Sequence, residues 1–276
     1  MYKLIACDLD ETLLDDAHRI PERVLRAIEA ARGRGARFVP ATGRPFGSVD
    51  DTLRDLGLLG APGEYVISFN GGVITENAHT ERPLTTCSLD PAVAERLYEE
   101  GIARGLCIHV YTLEHVYLYN YWPEERAYIE GRMNIVETHE RTLDFVREAG
   151  EVVVKLLYMS PSMDELRRTE RELAGAGLTD GLDVVYSSNR YLEFNAPGIN
   201  KGAGLLALAE RLGVAREETM AIGDNSNDVP MIAAAGLGVA VANASAEARA
   251  AAGYVCEADN NAGGVAEAIE RFVLGA

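Results

Sequence analysis

The chain has 276 residues, 47% of them hydrophobic and 25% charged, with a formal net charge of −17. That length suits one large domain or two modest ones, and the balance is that of a globular protein. The negative charge speaks against nucleic acid or an anionic membrane as partner, because phosphate-bearing surfaces repel it.

No apolar run approaches the roughly 18 residues of a membrane span. The run Leu4-Ile5-Ala6-Cys7 stops at Asp8, too short for the apolar core of a signal peptide. A cytoplasmic protein is therefore expected. Cys7, Cys87, Cys107 and Cys256 form no C-x-x-C pair and read as reduced, mostly buried thiols. His109 and His115 could meet across a hairpin, though scattered histidines give little reason for a metal there.

The first part of the chain reads β-α-β-α-β. Residues 3–7 form a short apolar strand ending at Asp8-Leu9-Asp10. Residues 21–34 have helical spacing, with Val24, Leu25, Ile28 and Ala31 on one face and Pro21 suited to the first turn. A strand over 36–41 runs into Thr42-Gly43-Arg44, Pro45 can open a helix, and a strand over 65–69 ends at Asn70-Gly71-Gly72.

The middle, residues 82–195, is expected to be an inserted α+β domain. Its strands (106–112, 116–120, 152–159, 184–187 and 191–194) lie close together, and Ser188-Asn189-Arg190 gives a hairpin signal between the last two. Nine of the twelve tyrosines and the only tryptophan fall here, a composition that suits antiparallel strands. Lys155, Glu193 and Asn195 could reach a polar substrate, and the tyrosines could stack on a sugar ring. Ordinary strand-surface positions and sheet packing explain both groups more cheaply.

The last part resumes the alternation. A helix over 201–212 carries Leu205, Leu206, Ala209 and Leu212 as its stripe. A buried strand over 219–222 ends at Gly223-Asp224, and a helix over 228–235, a strand over 237–242 and a helix over 264–273 follow. Residues 1–81 and 196–276 are thus expected to form one α/β domain, a doubly wound parallel sheet with helices on both faces. Ligands of such sheets bind beyond the carboxyl ends of the strands.

Polar residues stand at those ends: Asp8 with Asp10, Thr42, Asn70, and Asp224 through Asp228, with Lys201 at a helix start. On an extended segment residues i and i+2 share a side. Two carboxylates so placed repel each other and invite a cation, a hard divalent ion such as magnesium. A carboxylate can also attack as a nucleophile while its neighbour moves protons. Lys201 and the Thr42 hydroxyl could hold phosphoryl oxygens.

Asp8-Leu9-Asp10-Glu11-Thr12-Leu13-Leu14 resembles the first motif of haloacid dehalogenase-type phosphatases, and Ala41-Thr42-Gly43-Arg44 the second. Asn200-Lys201-Gly202 resembles the third, and Gly223-Asp224-Asn225-Ser226-Asn227-Asp228 the fourth. Ser68-Phe69-Asn70-Gly71-Gly72 and Asp259-Asn260-Asn261-Ala262-Gly263-Gly264-Val265 are similar to the Cof-type (IIB) subgroup, which carries a cap domain between the second and third motifs.

The resemblance implies a Rossmann-like core with a cap and hydrolysis through an aspartyl-phosphate. Asp8 would be the nucleophile. Asp10 would be general acid, then base, and a magnesium ligand through its backbone carbonyl. Asp8 and Asp224 would also bind Mg2+, with Asp228 behind them ordering metal-bound water. Thr42 and Lys201 would bind the transferring phosphoryl group with Asn227 nearby, and Gly43, Arg44 and Asn70 would line the substrate side. The family usually has Gly after the second Asp, where this chain has Glu11. Were positive φ required there, Glu11 would be strained; its side chain is expected to point away.

The expected partner is a small phosphorylated metabolite, of sugar-phosphate size, and the expected assembly a monomer or weak homo-oligomer. Closing the cap would exclude water and complete the pocket. A phosphotransferase or phosphomutase on the same scaffold is one alternative. A non-catalytic binding regulator is another, disfavoured by the Asp8 and Asp10 pair. No G-x-x-x-x-G-K-[ST] loop or G-x-S-x-G elbow occurs.

Overall fold

The computed structural model describes residues 2–129 and 133–275. The chain forms two compact units, Met1–Thr85 with Asn200–Ala276, and Thr86–Ile199. Both boundaries fall later than the 81/82 and 195/196 read from the sequence. Residues past 81 stay tied to the first unit, since Leu84 N donates to Ile74 O at 2.7 Å. On the return, Asn200 already caps a first-unit helix through its side chain.

In the first unit β1 (Leu4–Cys7) leads to α1 (Glu22–Gly33), with Pro21 at the capping position just before the helix rather than within it. Next come β2 (Arg37–Pro40) and α2 (Asp50–Asp55), the latter preceded by a tight 3-10 turn from Phe46 to Val49 that Pro45 opens. The strand β3 (Tyr65–Ser68) does not simply extend the parallel order. It touches it through a parallel bridge from Ala41 to Ile67, then folds back on β4 (Val73–Glu76) as an antiparallel hairpin. A short β5 (Thr85–Thr86) completes a separate three-stranded sheet.

The second unit runs α3 (Pro91–Ala103), β6 (Cys107–Tyr111), β7 (Val116–Tyr119), α4 (Pro123–Ile129), β8 (Ile135–Thr138), α5 (Asp144–Glu148), β9 (Lys155–Met159), α6 (Met163–Gly175), β10 (Asp183–Ser187) and β11 (Tyr191–Asn195). The strands make a six-stranded sheet in the order β10-β11-β9-β6-β7-β8. All its pairings are antiparallel except β7 with β8, which is parallel, and β8 has no counterpart in the sequence reading. Ser188 and Asn189 both have positive φ, as a tight hairpin turn requires. Its tyrosines pack edge to face, Tyr158 on Phe194 at 4.9 Å and Tyr117 on Phe145 at 4.9 Å. His109 and His115 keep separate partners. His109 is buried with Nε2 3.4 Å from Glu125, and His115 Nδ1 lies 2.8 Å from Glu151. Lys155 is buried against Glu193 at 2.7 Å.

The chain returns with α7 (Lys201–Arg211), β12 (Thr219–Gly223), α8 (Val229–Ala234), β13 (Leu237–Ala240), α9 (Ala246–Ala251), β14 (Tyr254–Val255) and α10 (Gly264–Ile269). The main sheet is all parallel in the order β14-β13-β12-β1-β2. Side chains alternate between its faces. Ile5 and Cys7 join the cluster with α1 and α10, while Leu4 and Ala6 join the one with α7 and α8. On α7 the buried apolar side chains are Leu205, Leu208 and Ala209; Leu206, expected in the stripe, is 38% exposed. The helix turns about 100° per residue, so Leu208 rather than Leu206 lies beside Leu205 on the inner face. Among the described residues no helix is long and apolar enough to cross a membrane. Cys7, Cys107 and Cys256 are buried and Cys87 half-buried, all as free thiols.

Candidate active site

The parallel register brings the polar clusters to one edge of the sheet. Cys7 pairs with both Ile222 and Pro40, so Asp8, Thr42 and Asp224 leave neighbouring strands at the same level. Asp8, Thr42, Asn70, Lys201, Asp224 and Asp228 are all buried. Carboxylate oxygens of Asp8, Asp224 and Asp228 lie within 4.8 Å of one another.

Two glycines permit this closeness. A Cβ on Gly223 would lie 2.5 Å from the Asp228 Cβ. With hydrogen there instead, Asp228 folds back on β12, and its Oδ2 accepts from Asp224 N and Asn225 N at 3.1 Å each. Its side chain therefore does not cap the helix it precedes. Gly71 has φ +96°, and a Cβ there would meet Asn200 O at 2.3 Å. That contact seats the start of α7, where the Asn200 side chain accepts from Ala203 N.

Lys201 is thereby held inside the crevice, fully buried. Its Nζ donates to Asp8 Oδ1 and, at 2.6 Å, to Asp228 Oδ1. Asp8 Oδ2 accepts no hydrogen bond among the described residues. Asp10 stands apart from the three buried carboxylates. Its side chain is 42% exposed, and both of its oxygens accept from Arg44, one from Nε at 2.9 Å. Arg44, expected to line the substrate side, is turned to Asp10. Thr42 Oγ1 accepts from Arg44 N at 3.1 Å, and Asn227 Nδ2 donates to Asn70 Oδ1 at 3.4 Å. Gly43 lies so close to Asn70 that a Cβ would sit 3.0 Å from Oδ1.

Two supporting residues escaped the sequence reading. Thr12 Oγ1 donates to Asp224 Oδ1 at 2.7 Å, tying the first cluster to the fourth. Asn260, buried, donates from Nδ2 to Leu14 O at 3.0 Å and so anchors the loop after β1. Both belong to motifs quoted above; a hydroxyl after an acidic pair and an amide before Gly-Gly were the available signals.

Burial and like charge dominate the electrostatics. Burial, then repulsion from Asp228, raise the Asp8 carboxyl well above its ordinary range despite Lys201. Burial and Asp228 push Asp224 up to about 7, against the Thr12 hydrogen bond. Burial pulls Lys201 down, but Asp228 and Asp8 outweigh it and hold the ammonium charged. Three carboxylates against one ammonium leave two negative charges, the complement of one divalent cation. The donor atoms are all carboxylate oxygens, the set that a hard ion such as Mg2+ takes. The residues present therefore fit that ion.

A pH dependence follows for the metal-free protein. Asp224 has a folded pKa above its unfolded value, so its contribution to stability is complete below about pH 4 and is lost as pH rises through 7. The swing is ~4 kcal/mol at most. Thermal melts in chelator should show the first unit weakening between about pH 4 and 7, and Mg2+ should flatten the slope. A profile that rises with pH in chelator contradicts this account.

Glu11 has φ 58° and ψ 8°, the left-handed region that favours glycine. Its side chain is exposed, yet its charge still raises Asp224. Glu11→Gly should therefore stabilise the metal-free protein by about 1 kcal/mol through relieved strain. The hydrogen bond from Asn243 Nδ2 to Glu11 O survives, because it uses the backbone. Urea unfolding midpoints measure the gain; a loss of stability would overturn the strain argument.

The family model of the haloacid dehalogenase-like hydrolases matches residues 5–269. YxeH of Bacillus subtilis is 34% identical over 274 residues, spanning 99% of each chain. The 5-amino-6-(5-phospho-D-ribitylamino)uracil phosphatase YcsE of the same organism is 30% identical over 99% of this chain and 96% of its own. A solved haloacid dehalogenase-like hydrolase from Bacteroides thetaiotaomicron superposes with a TM-score of 0.82 at 32% identity, covering 98% of this chain and 99% of that one. The chain belongs to the haloacid dehalogenase-like hydrolases. It is a phosphatase of that family.

Proposed function

We propose that this phosphatase is a magnesium-dependent phosphomonoester hydrolase. Its substrate is a small phosphorylated metabolite, a sugar or polyol phosphate, and the reaction passes through an aspartyl-phosphate on Asp8. The observation that carries the reading is the Asp8 carboxylate, with one oxygen held by Lys201 and the other accepting no hydrogen bond.

Asp8 Oδ2 attacks phosphorus, and the bond to the leaving alkoxide breaks. The Asp10 carboxyl gives that oxygen its proton; water then attacks the acyl phosphate while Asp10 takes the proton back, freeing inorganic phosphate and Asp8. Lys201 neutralises charge on the phosphoryl oxygens, and the Thr42 hydroxyl donates to them. Asp8, Asp224 and the Asp10 carbonyl would hold Mg2+, with Asp228 behind them. When bound, the ion supplies Lewis-acid charge compensation. Arg44 orients Asp10. Gly43, Asn70 and Asn227 face the substrate.

The substrate class is supported by YcsE, whose name gives a phosphorylated ribityl compound. A panel of phosphorylated metabolites, assayed for phosphate release with and without Mg2+ and ranked by kcat/KM, tests the proposal. Sugar and polyol phosphates should lead and chelator should abolish turnover. Failure to release phosphate from any ester, or full activity in chelator, would refute it.

A further inference from the structure

The turn that follows Asp8 is held in an unfavourable conformation. Asp10 is extended at ψ 132°, and Glu11 then stands at φ 58°, where a residue with a side chain carries a cost that glycine escapes. Those two angles flank one rigid peptide unit, the unit that bears the Asp10 carbonyl. Were Glu11 to relax to negative φ, that unit would turn over and the carbonyl would reverse. A strained residue persists only where its surroundings fix it.

Leu14 N closes the turn on Leu9 O at 2.9 Å, and Thr12 Oγ1 ties it to Asp224. A third hydrogen bond takes hold of Glu11 itself, from Asn243 Nδ2 to Glu11 O at 2.7 Å. Asn243 lies in the loop between β13 and α9, and that loop is anchored in turn. Asn243 Oδ1 accepts from Asn260 N at 3.1 Å, and two residues on Ser245 N donates to Asp224 O at 2.8 Å. One loop thus grips the backbone of the first acidic cluster and of the fourth. The Asn243 side chain is exposed, so it acts through these hydrogen bonds and not by filling a core.

We propose that Asn243 is a positioning residue for the phosphatase reaction. It clamps Glu11 in the left-handed region and so keeps the Asp10 carbonyl and the Thr12 hydroxyl set for a divalent cation. The inference rests on the Mg2+ site proposed above for Asp8, Asp224 and the Asp10 carbonyl. It assigns a share of the metal affinity to a side chain that touches neither the ion nor the substrate.

Calorimetric titration of the full chain with Mg2+, with and without Asn243→Ala, tests this apart from turnover. The variant should bind Mg2+ about fivefold more weakly, the loss of one hydrogen bond of ordinary strength. In chelator its amide hydrogens across 9–16 should exchange faster by about the same factor. The Mg2+ concentration that gives half the maximal rate should rise in step. The rate at saturating Mg2+ should stay within about twofold of the parent, since the bound ion selects the turn that Asn243 otherwise holds. Asn243→Asp keeps the acceptor for Asn260 N, loses the donor to Glu11 O and should do no better than Asn243→Ala. The decisive comparison repeats Asn243→Ala in a Glu11→Gly chain. Glycine rests in that region without a clamp, so the loss of Mg2+ affinity there should shrink to less than about twofold. Unchanged Mg2+ affinity in Asn243→Ala, or equal losses in the two backgrounds, would overturn the proposal. A parent chain that binds no Mg2+ would refute the reading of the crevice itself, and this inference with it.

Discussion

Asp8→Asn should leave the fold intact and reduce kcat by at least about 10³-fold, because an amide is a poor nucleophile. The substitution also removes one of three crowded carboxylates, while Lys201 keeps its 2.6 Å bond to Asp228. Thermal stability without metal should therefore hold or rise. That pairing of lost turnover with undiminished stability separates a chemical role from a packing one. Radiolabelled phosphate should be trapped on the parent chain in a hydroxylamine-sensitive form and not on the variant. Substantial residual phosphate release would remove Asp8 from its assigned part.

Lys201→Met should do damage of a second kind. It deletes the ammonium that faces Asp8 and Asp228 at zero exposure. Two buried carboxylates lose their counter-charge, which costs ~3–5 kcal/mol. Turnover should fall by roughly 10²–10³-fold as phosphoryl charge goes uncompensated. Saturating Mg2+ should restore a good part of the stability and little of the rate. Unchanged kinetics would reduce Lys201 to a structural ion-pair partner.

Much of this crevice could be read from the chain because each cluster follows a buried apolar strand, and parallel strands deliver their ends to one edge. Asp8, Thr42, Asn70 and Asp224 were legible for that reason. What was not legible depends on three-dimensional pairing. The hairpin between β3 and β4 hides behind Asn70-Gly71-Gly72, which reads as an ordinary loop end. The β8 strand, Ile135–Thr138, is too short and half-exposed to show an alternation. Leu206 was misplaced because Leu205, Leu206 and Leu208 are equally apolar, and only packing decides between them. The grip of Arg44 on Asp10 spans 34 residues and leaves no trace in local spacing.

Every side chain assigned to the chemistry, from Asp8 to Asp228, issues from the two stretches that build the first unit. The intervening 86–199 contributes none of them. Sequence change can accumulate in that stretch while the buried acids and the ammonium that balances them stay as they are.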